Sequence, residues 1–578
     1  LAGQLFVAGL LSGHARPLAV AGPVFDPRPD PPAQRVAYVS GRQLCLAELD
    51  GTSRVLVGDD DEQVSWATAD FLAAEEMQRF RGYWWNPTGT AIAACRVDTS
   101  PVSEWVIADP ASPDDAARTI RYPAAGRPNP VVTLHLLGLG GSNVAVEWDR
   151  EFFPYLVEVD WSERGLLMLV QARDQQGTMV LRVDERNGET EVIGHDYDDA
   201  WVDIVPGTPR LTGDGALVTC ADRDGARRLL LDGEPVTPPD LVVRSVIAVA
   251  EQGITFQANP LDDATVLQVW RRTPDGELHA LTDAPGTHNA IVGGPTTVLR
   301  STSLDTPGIT TTVDDATIAS HAETPLVRPN VELLRAGEHE LATAVLLPHD
   351  HDGGKLPVLL DPYGGPHALR VTQAYNSFTT SQWFADQGFA VVVADGRGTP
   401  GRGSEWERAV RHDLATAPLD DQIAALEAAA ERFDGLDVDR VAIRGWSFGG
   451  YLAALAVLRR PDVFHAAVAG APVTEWRLYD THYTERYLGD PAQRSDVYDA
   501  NSLLPLAGEL TRPLLLIHGL ADDNVVAAHT LQLSSALLAA GRTHEVLPLV
   551  GVTHMTPQEV VAENLLHHQL DFIRRSLA

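Results

Sequence analysis

Gly445-Trp446-Ser447-Phe448-Gly449 sets a serine between glycines at the junction of two apolar runs, an arrangement that suits a nucleophile. The preceding run, RVAIR, is β-branched and reads as a strand; the following run, GGYLAALAV, is rich in small residues and reads as a helix. Glycines beside the serine permit a sharp strand-to-helix turn. That turn lifts the hydroxyl above a sheet and aims the helix N-terminus at an oxyanion formed there. Such a serine needs a base and a group that orients the base. In this kind of hydrolase the acid follows the serine and the histidine comes last. LLLIHGLADDNVV supplies Asp522 directly after an apolar strand, and VLPLVGVTHMTP supplies His554 after the next. Asp523 adjoins Asp522, and His518 and His544 lie close by. Chain order and loop position select Asp522 and His554, while His518, at a strand end, reads as structural. His554 would take the serine proton, and Asp522 would hold the imidazole tautomer and stabilise its cation. This is acyl transfer, which requires neither a metal nor an organic cofactor.

A second concentration of charge stands far upstream in AAEEMQRFRGYWW, where Glu75 and Glu76 are adjacent in apolar, aromatic surroundings. Alone, the pair reads as a solvated helix face, because neighbouring helix positions diverge and usually both meet water. If the pair instead faces a site, Arg79 or Arg81 is the group expected to steer one of them inward, with both glutamates reaching the site from a short, irregular helix.

The elements that must position these groups change character once along the chain. Residues 1–328 read as strand after strand, short β-branched runs ended by Gly, Asp, Asn or Pro turns. Turn-strand-turn units recur at the spacing of propeller blades and predict a β-propeller of about seven blades, with a pair of two-sheet sandwiches as the alternative. ATADFLAAEEMQRF interrupts the pattern and predicts a helical insertion near 67–82 that carries the two glutamates. Across 329–578, continuous apolar strands alternate with amphipathic helices, the pattern of an α/β domain whose parallel sheet is covered on both faces.

Composition narrows the function classes. At 578 residues the chain exceeds one ordinary core. The net charge of −35 argues against nucleic acid or an anionic membrane surface as partner. No apolar run is long enough to span a membrane as a helix. Cys45, Cys95 and Cys220 are scattered, without metal-ligand spacing, which fits a reducing, cytoplasmic compartment. The chain starts at Leu1 without an initiator Met and reads as N-terminally incomplete, so a preceding targeting segment stays open.

Taken together, GWSFGGY, APVTEWRLYDTHYTERYLG and HGLADDNV resemble, in order and spacing, the prolyl oligopeptidase family of serine peptidases in its dipeptidyl peptidase IV branch. The likeness is strongest over 356–578 and returns at 73–97; the rest of the propeller matches only in style. It implies Ser447, Asp522 and His554 as the triad. It implies Tyr363 of LDPYGGP and the backbone N–H of Phe448 as oxyanion donors. Phe448, Val473, Trp476, Tyr479, Tyr483 and Val525 match the pocket for the proline before the scissile bond, and Asn524 matches a residue that binds the substrate carbonyl. A flat pyrrolidine without an N–H suits such an aromatic box. Glu75 and Glu76 match the branch's paired glutamates, which bind the substrate's α-ammonium. The resemblance also implies eight blades, peptide substrates and a homodimer.

Two departures stand out. Phe448 occupies a position where tyrosine is usual, and the family's propeller arginine upstream of the paired glutamates has no placed counterpart in 1–70. The expected activity is release of X-Pro or X-Ala dipeptides from free N-termini. The alternatives are a prolyl tripeptidyl peptidase on the same scaffold and, from a different class, a non-catalytic propeller binding protein.

Overall fold

In the computed structural model, which describes every residue except 1–3, 10, 21, 109, 115, 315 and 557, the strand-rich half forms consecutive antiparallel meanders. A two-stranded pair, Leu5–Ala8 with Ala15–Leu18, comes first. Six sheets of four or five strands follow, making seven antiparallel units in which the first has only two strands. A representative sheet runs Tyr155–Ser162, Gly165–Gln171, Gly177–Val183 and Thr190–Tyr197, each strand pairing with the next. Tight turns set this local order; Gly165 adopts φ +115°, a conformation that costs glycine little.

One sheet carries two insertions that reach the site. Between its strands Val64–Trp66 and Tyr83–Trp85 stands the helix Phe71–Glu76. Between Ala91–Asp98 and Val131–Gly138 stands the hairpin Glu104–Ile107 with Arg118–Arg121. The helix is shorter than the expected 67–82 insertion, because Thr68 bridges back to Arg81 and only six residues between them are helical. So short a helix is marginal alone. It persists because Asp70 caps the N–H groups of Leu72 (3.1 Å) and Ala73 (3.2 Å), and because Leu72, Ala73 and Met77 pack on Tyr155 and Val157.

From Val331 the chain builds one eight-stranded sheet in the order Val331–Ala336, Leu341–Leu346, Ala390–Asp395, Leu356–Leu360, Leu436–Trp446, Ala466–Gly470, Leu514–Gly519 and Glu545–Leu549. The second strand pairs antiparallel with both the first and the third, and the strands from the third onward run parallel. Alternate residues of the central strands enter two separate cores. Leu360, Ile443 and Leu516 pack against the helices Thr416–Arg432 and Phe448–Arg459, while Leu359, Ala442 and Leu515 pack against Thr379–Asp386 and Glu559–Ser576. Burial on both faces is why these strands are apolar throughout.

Candidate active site

The strand Leu436–Trp446 ends where the helix Phe448–Arg459 begins, and Ser447 is the single residue between them. Its backbone sits at φ +59°, ψ −119°, an unfavourable conformation for a residue with a Cβ. The surroundings impose it: Ser447 N–H donates to Gly470 O (2.9 Å) and Tyr451 N–H to Ser447 O (2.9 Å). A Cβ on Gly445 would overlap the Gly449 carbonyl, and one on Gly450 would overlap the Gly470 carbonyl. The glycines therefore serve close backbone approach, and the strained turn presents the serine hydroxyl at the head of a helix.

His554 Nδ1 lies 2.8 Å from Asp522 Oδ2. Asp522 is 1% exposed, and its Oδ1 receives the N–H groups of Asn524 (3.0 Å) and Val525 (2.9 Å). Burial pushes this carboxyl up, but the rings of His518 and His554 outweigh it and hold Asp522 below the usual carboxylate range. An ionised Asp522 accepts the Nδ1–H of His554, leaving Nε2 free to act as a base. Trp446 Nε1 donates to the His554 carbonyl (2.8 Å) and ties the histidine loop to the elbow. His518 contacts Val525 O (2.6 Å) and Thr530 Oγ1 (2.7 Å) and lies 3.6 Å from Asp522 Oδ2, behind the acid, while His544 contacts Ser534 Oγ (2.7 Å) and Arg542 O (3.0 Å) and is occupied elsewhere. Asp523 points away from the histidine and pairs with Arg118 of the propeller hairpin at 2.8 Å.

One cavity of about 380 Å³ is lined by Glu75, Glu76, Tyr363, Ser447, Tyr479, Tyr483, Asn524 and His554, together with His367, Trp446 and Met555. Behind this lining, Phe448, Val473, Trp476 and Val525 are buried in the core that also holds Tyr479 and Tyr483. Trp476 stacks on Tyr483 with centroids 5.9 Å apart and planes 3° from parallel, and Tyr479 meets Tyr483 edge-on at 5.3 Å. Trp476 thus backs Tyr483, and Tyr479 and Tyr483 present two perpendicular aromatic faces to the cavity. Burial raises the Tyr363 phenol, with Glu76 adding to the effect, so its O–H stays available as a donor.

The helix Thr481–Leu488 that carries Tyr483 is bound to the propeller. Glu485 receives Arg173 in a bidentate pair (2.7 and 2.8 Å), Thr481 N–H donates to Pro123 O (2.9 Å), and Ala125 N–H donates to Tyr479 O (2.8 Å). Tyr122 Oη donates to Asn524 O at 2.8 Å. Both halves of the chain thus build the pocket walls.

Glu75 and Glu76 reach the cavity in different ways. Glu75 is exposed and accepts from Asn524 Nδ2 (3.1 Å), while only 5% of the Glu76 side chain is exposed. Partial desolvation raises Glu75; burial lifts Glu76 well above the ordinary value, and Asp480 beside it, itself pushed up to about 7 by burial, adds to the rise. Asp480 Oδ1 caps Tyr483 N–H (2.9 Å), and its buried Oδ2 has no donor among the described residues. The two acids are adjacent, so the protonation of one depends on the charge of the other. Neither arginine expected to steer the glutamates does so. Arg79 pairs with Asp70 (3.4 Å) and the Leu156 carbonyl (3.2 Å), and Arg81 donates to Tyr83 O (3.0 Å). These arginines have closer acceptors in the sheet beneath the helix. The groups that do face the glutamates, Asn524, Asp480, His367 and Arg486, come from the hydrolase half. Asp480 stands in APVTEWRLYDTHYTERYLG as a helix cap, a signal that says nothing of its second oxygen; His367 carries no motif at all.

A strained serine elbow, an Asp–His pair on a buried aspartate and an acidic wall contributed by a propeller insertion define the class, a serine hydrolase whose site cavity is lined in part by a β-propeller. Residues 375–578 match the prolyl oligopeptidase family, and residues 2–303 match the family described as the dipeptidyl peptidase IV N-terminal region. The chain belongs to the prolyl oligopeptidase family, in its dipeptidyl peptidase IV branch. It is similar to dipeptidyl peptidase 8 of Homo sapiens, 39% identical over 239 residues that cover 40% of this chain and 26% of that protein. It is also similar to a probable dipeptidyl peptidase 4 of Emericella nidulans, 27% identical over 580 residues that cover 89% of this chain and 73% of that one. Only about a quarter of the human relative's length is therefore matched. The fold is that of Porphyromonas gingivalis dipeptidyl peptidase 4, with a TM-score of 0.89, 24% identity, and coverage of 99% of this chain and 86% of that one.

Proposed function

We propose that the chain is an exopeptidase that releases dipeptides ending in proline, or in alanine, from peptides with a free amino terminus. The observation that carries this is the shared cavity: Glu75 and Glu76 line the same space as Ser447, His554, Tyr479 and Tyr483. An α-ammonium held by the acidic wall fixes how far the chain extends toward Ser447. A small ring against the aromatic faces then precedes the scissile bond. His554 takes the Ser447 proton as the hydroxyl attacks the carbonyl, and Tyr363 with the Phe448 N–H faces the oxyanion. His554 returns the proton to the departing amine, and water releases the dipeptide from the acyl-enzyme by the reverse sequence. The dipeptidyl peptidases among the relatives support the same product length.

The expected result is rapid hydrolysis of Gly-Pro-nitroanilide and poor hydrolysis of its N-acetylated form, which leaves the acids without a counter-charge. Preference for Ala-Ala-Pro-nitroanilide would replace this reading with a tripeptidyl peptidase. Association into a homodimer through the hydrolase half belongs to the same proposal. Its support is the last strand of the sheet, Glu545–Leu549, which lacks an outer neighbour among the described residues. Near it in sequence are the exposed side chains of Leu538, Val546 and Val550. Light scattering is expected to return twice the 62.4 kDa chain mass, and a monomer at micromolar concentration would remove the dimer.

A further inference from the structure

His367 is one of thirteen non-glycine residues with positive φ among the described residues, at φ +73°, four residues beyond Tyr363. A side chain kept in such a conformation is held by its surroundings, and at the edge of a site that points to a role for the ring. The ring meets Tyr483 edge-on at 5.2 Å, so it stands beside the aromatic faces. Its Nε2 lies 2.8 Å from Tyr487 Oη and 3.4 Å from Arg486 Nη1. A guanidinium can only donate, so Nε2 is the accepting nitrogen and the ring proton sits on Nδ1. That Nδ1–H is 3.7 Å from Glu76 Oε2, beyond hydrogen-bond length but close enough for its dipole to act on the carboxylate. The side chain is 39% exposed; partial burial and the Arg486 guanidinium beside Nε2 together push the imidazole down, which favours the neutral ring and adds no cation to compete with an ammonium.

The space behind His367 shows what the ring prevents. A second cavity of about 210 Å³ shares Glu75, Glu76 and His367 with the reaction cavity, and its other walls include Arg227, Arg244 and Arg486. Arg486 already acts on Glu76 from this side, and Arg227 and Arg244 are alternative partners for a glutamate that turns away from Ser447. Arg227 is already engaged by Asp203 and Glu407, and Arg486 by Asp203. Arg244 has only the amide oxygen of Asn259 at 3.2 Å and no carboxylate within salt-bridge distance among the described residues. Glu76 therefore stands between an arginine-lined chamber and the space where the ammonium of the proposed substrate would lie, with His367 on the dividing wall.

We propose that His367 is a positioning residue for amino-terminus recognition: its neutral ring, proton on Nδ1, keeps the Glu76 carboxylate facing the reaction cavity and away from the arginines behind it. This rests on the exopeptidase reading and names the device that sets its charge recognition. It predicts an effect on binding of the free amine rather than on acyl transfer.

The test uses the full chain with His367→Gly and His367→Asn. Glycine accepts the left-handed backbone but removes the donor. Asparagine also tolerates that backbone and places an amide N–H near the former Nδ1. For Gly-Pro-nitroanilide, His367→Gly is expected to raise KM about tenfold and leave kcat within about twofold, the effect of leaving only about one-tenth of the molecules with Glu76 facing the reaction cavity. His367→Asn is expected to bring KM back to within about threefold of the parent. In a Glu76→Gln background, His367→Gly should add less than about a twofold change, because the two residues act through one contact. An unchanged KM in His367→Gly, an Asn variant as impaired as the Gly variant, or a loss confined to kcat would overturn the proposal. A parent chain that reacts with a fluorophosphonate yet ignores Gly-Pro-nitroanilide would instead refute the exopeptidase reading, and this proposal with it.

Discussion

Replacing Ser447 with alanine is expected to lower kcat for Gly-Pro-nitroanilide by about 10⁴- to 10⁶-fold and to abolish covalent labelling by a fluorophosphonate. The size follows from chemistry. The hydroxyl is the only atom of this group that forms a bond to the substrate, and without it water must attack directly. Some rate remains, because Tyr363, the Phe448 N–H and the aromatic faces still bind and polarise a carbonyl. KM should change little, since the Ser447 side chain adds no charge and little area to the cavity. Thermal stability should also hold: alanine meets the same φ of +59° with the same Cβ, so the backbone strain is unaltered. Two outcomes would sink the assignment: a parent chain that resists labelling, or a variant that keeps its activity.

Glu76→Gln is expected to damage activity while strengthening the fold. Glu76 is nearly buried, and Asp480 beside it is fully buried with Oδ2 lacking a donor. Glutamine removes one of two like charges and supplies an N–H to that oxygen. A gain of about 1 kcal/mol follows, which for a chain this long is a rise in Tm of about 1–2 °C. Linkage gives the sign with pH. The Glu76 carboxyl is raised in the folded chain above its ordinary 4.5, so it costs stability where it is ionised. That cost fades as pH falls through the folded-state value. The Tm advantage of Glu76→Gln should therefore be widest near pH 8 and narrow below about 7, where Asp480 also takes up its proton.

Activity moves the other way. An ammonium facing a neutral amide loses a charge-assisted contact in a dry site, and KM is expected to rise by about 10²-fold or more. In the parent chain KM should rise on the acid side as the pair protonates. It should rise again above pH 8 as the substrate amine loses its proton, near its usual value of about 7.7–8.0. N-acetylated substrates should show neither limb. A Glu76→Gln chain that melts below the parent at pH 8 would contradict the placement of a raised acid pair here.

Much of this architecture was legible in local pattern. The small-residue helix after Ser447, the apolar strands before Asp522 and His554, and the turn-punctuated strands of the first half each carry their own short-range signal. Backbone preference, turn chemistry and burial on both faces act over a few residues, which is why they can be read in a row of letters. The elbow shows the same economy, for Gly445 and Gly450 announce close approach before any partner is known. The glutamate helix was visible in outline only. Its length depends on a bridge between Thr68 and Arg81, and the steering role expected of Arg79 and Arg81 went to groups from the other half.

Those groups mark the boundary between what the chain's letters carry and what folding alone decides. Residue type and order determined the nucleophile, the order of its partners, the two fold classes and the presence of a paired acid. Tertiary structure decided that Asp480 lies against Glu76, that Tyr122 holds the Asn524 carbonyl and that the His367 ring, though partly open to solvent, lies 3.7 Å from Glu76. The physical reason is that protonation, tautomer and charge direction depend on burial and on neighbours hundreds of residues away. No local propensity encodes the distance between a propeller insertion and a hydrolase loop, and in this site that distance sets which acid carries a charge.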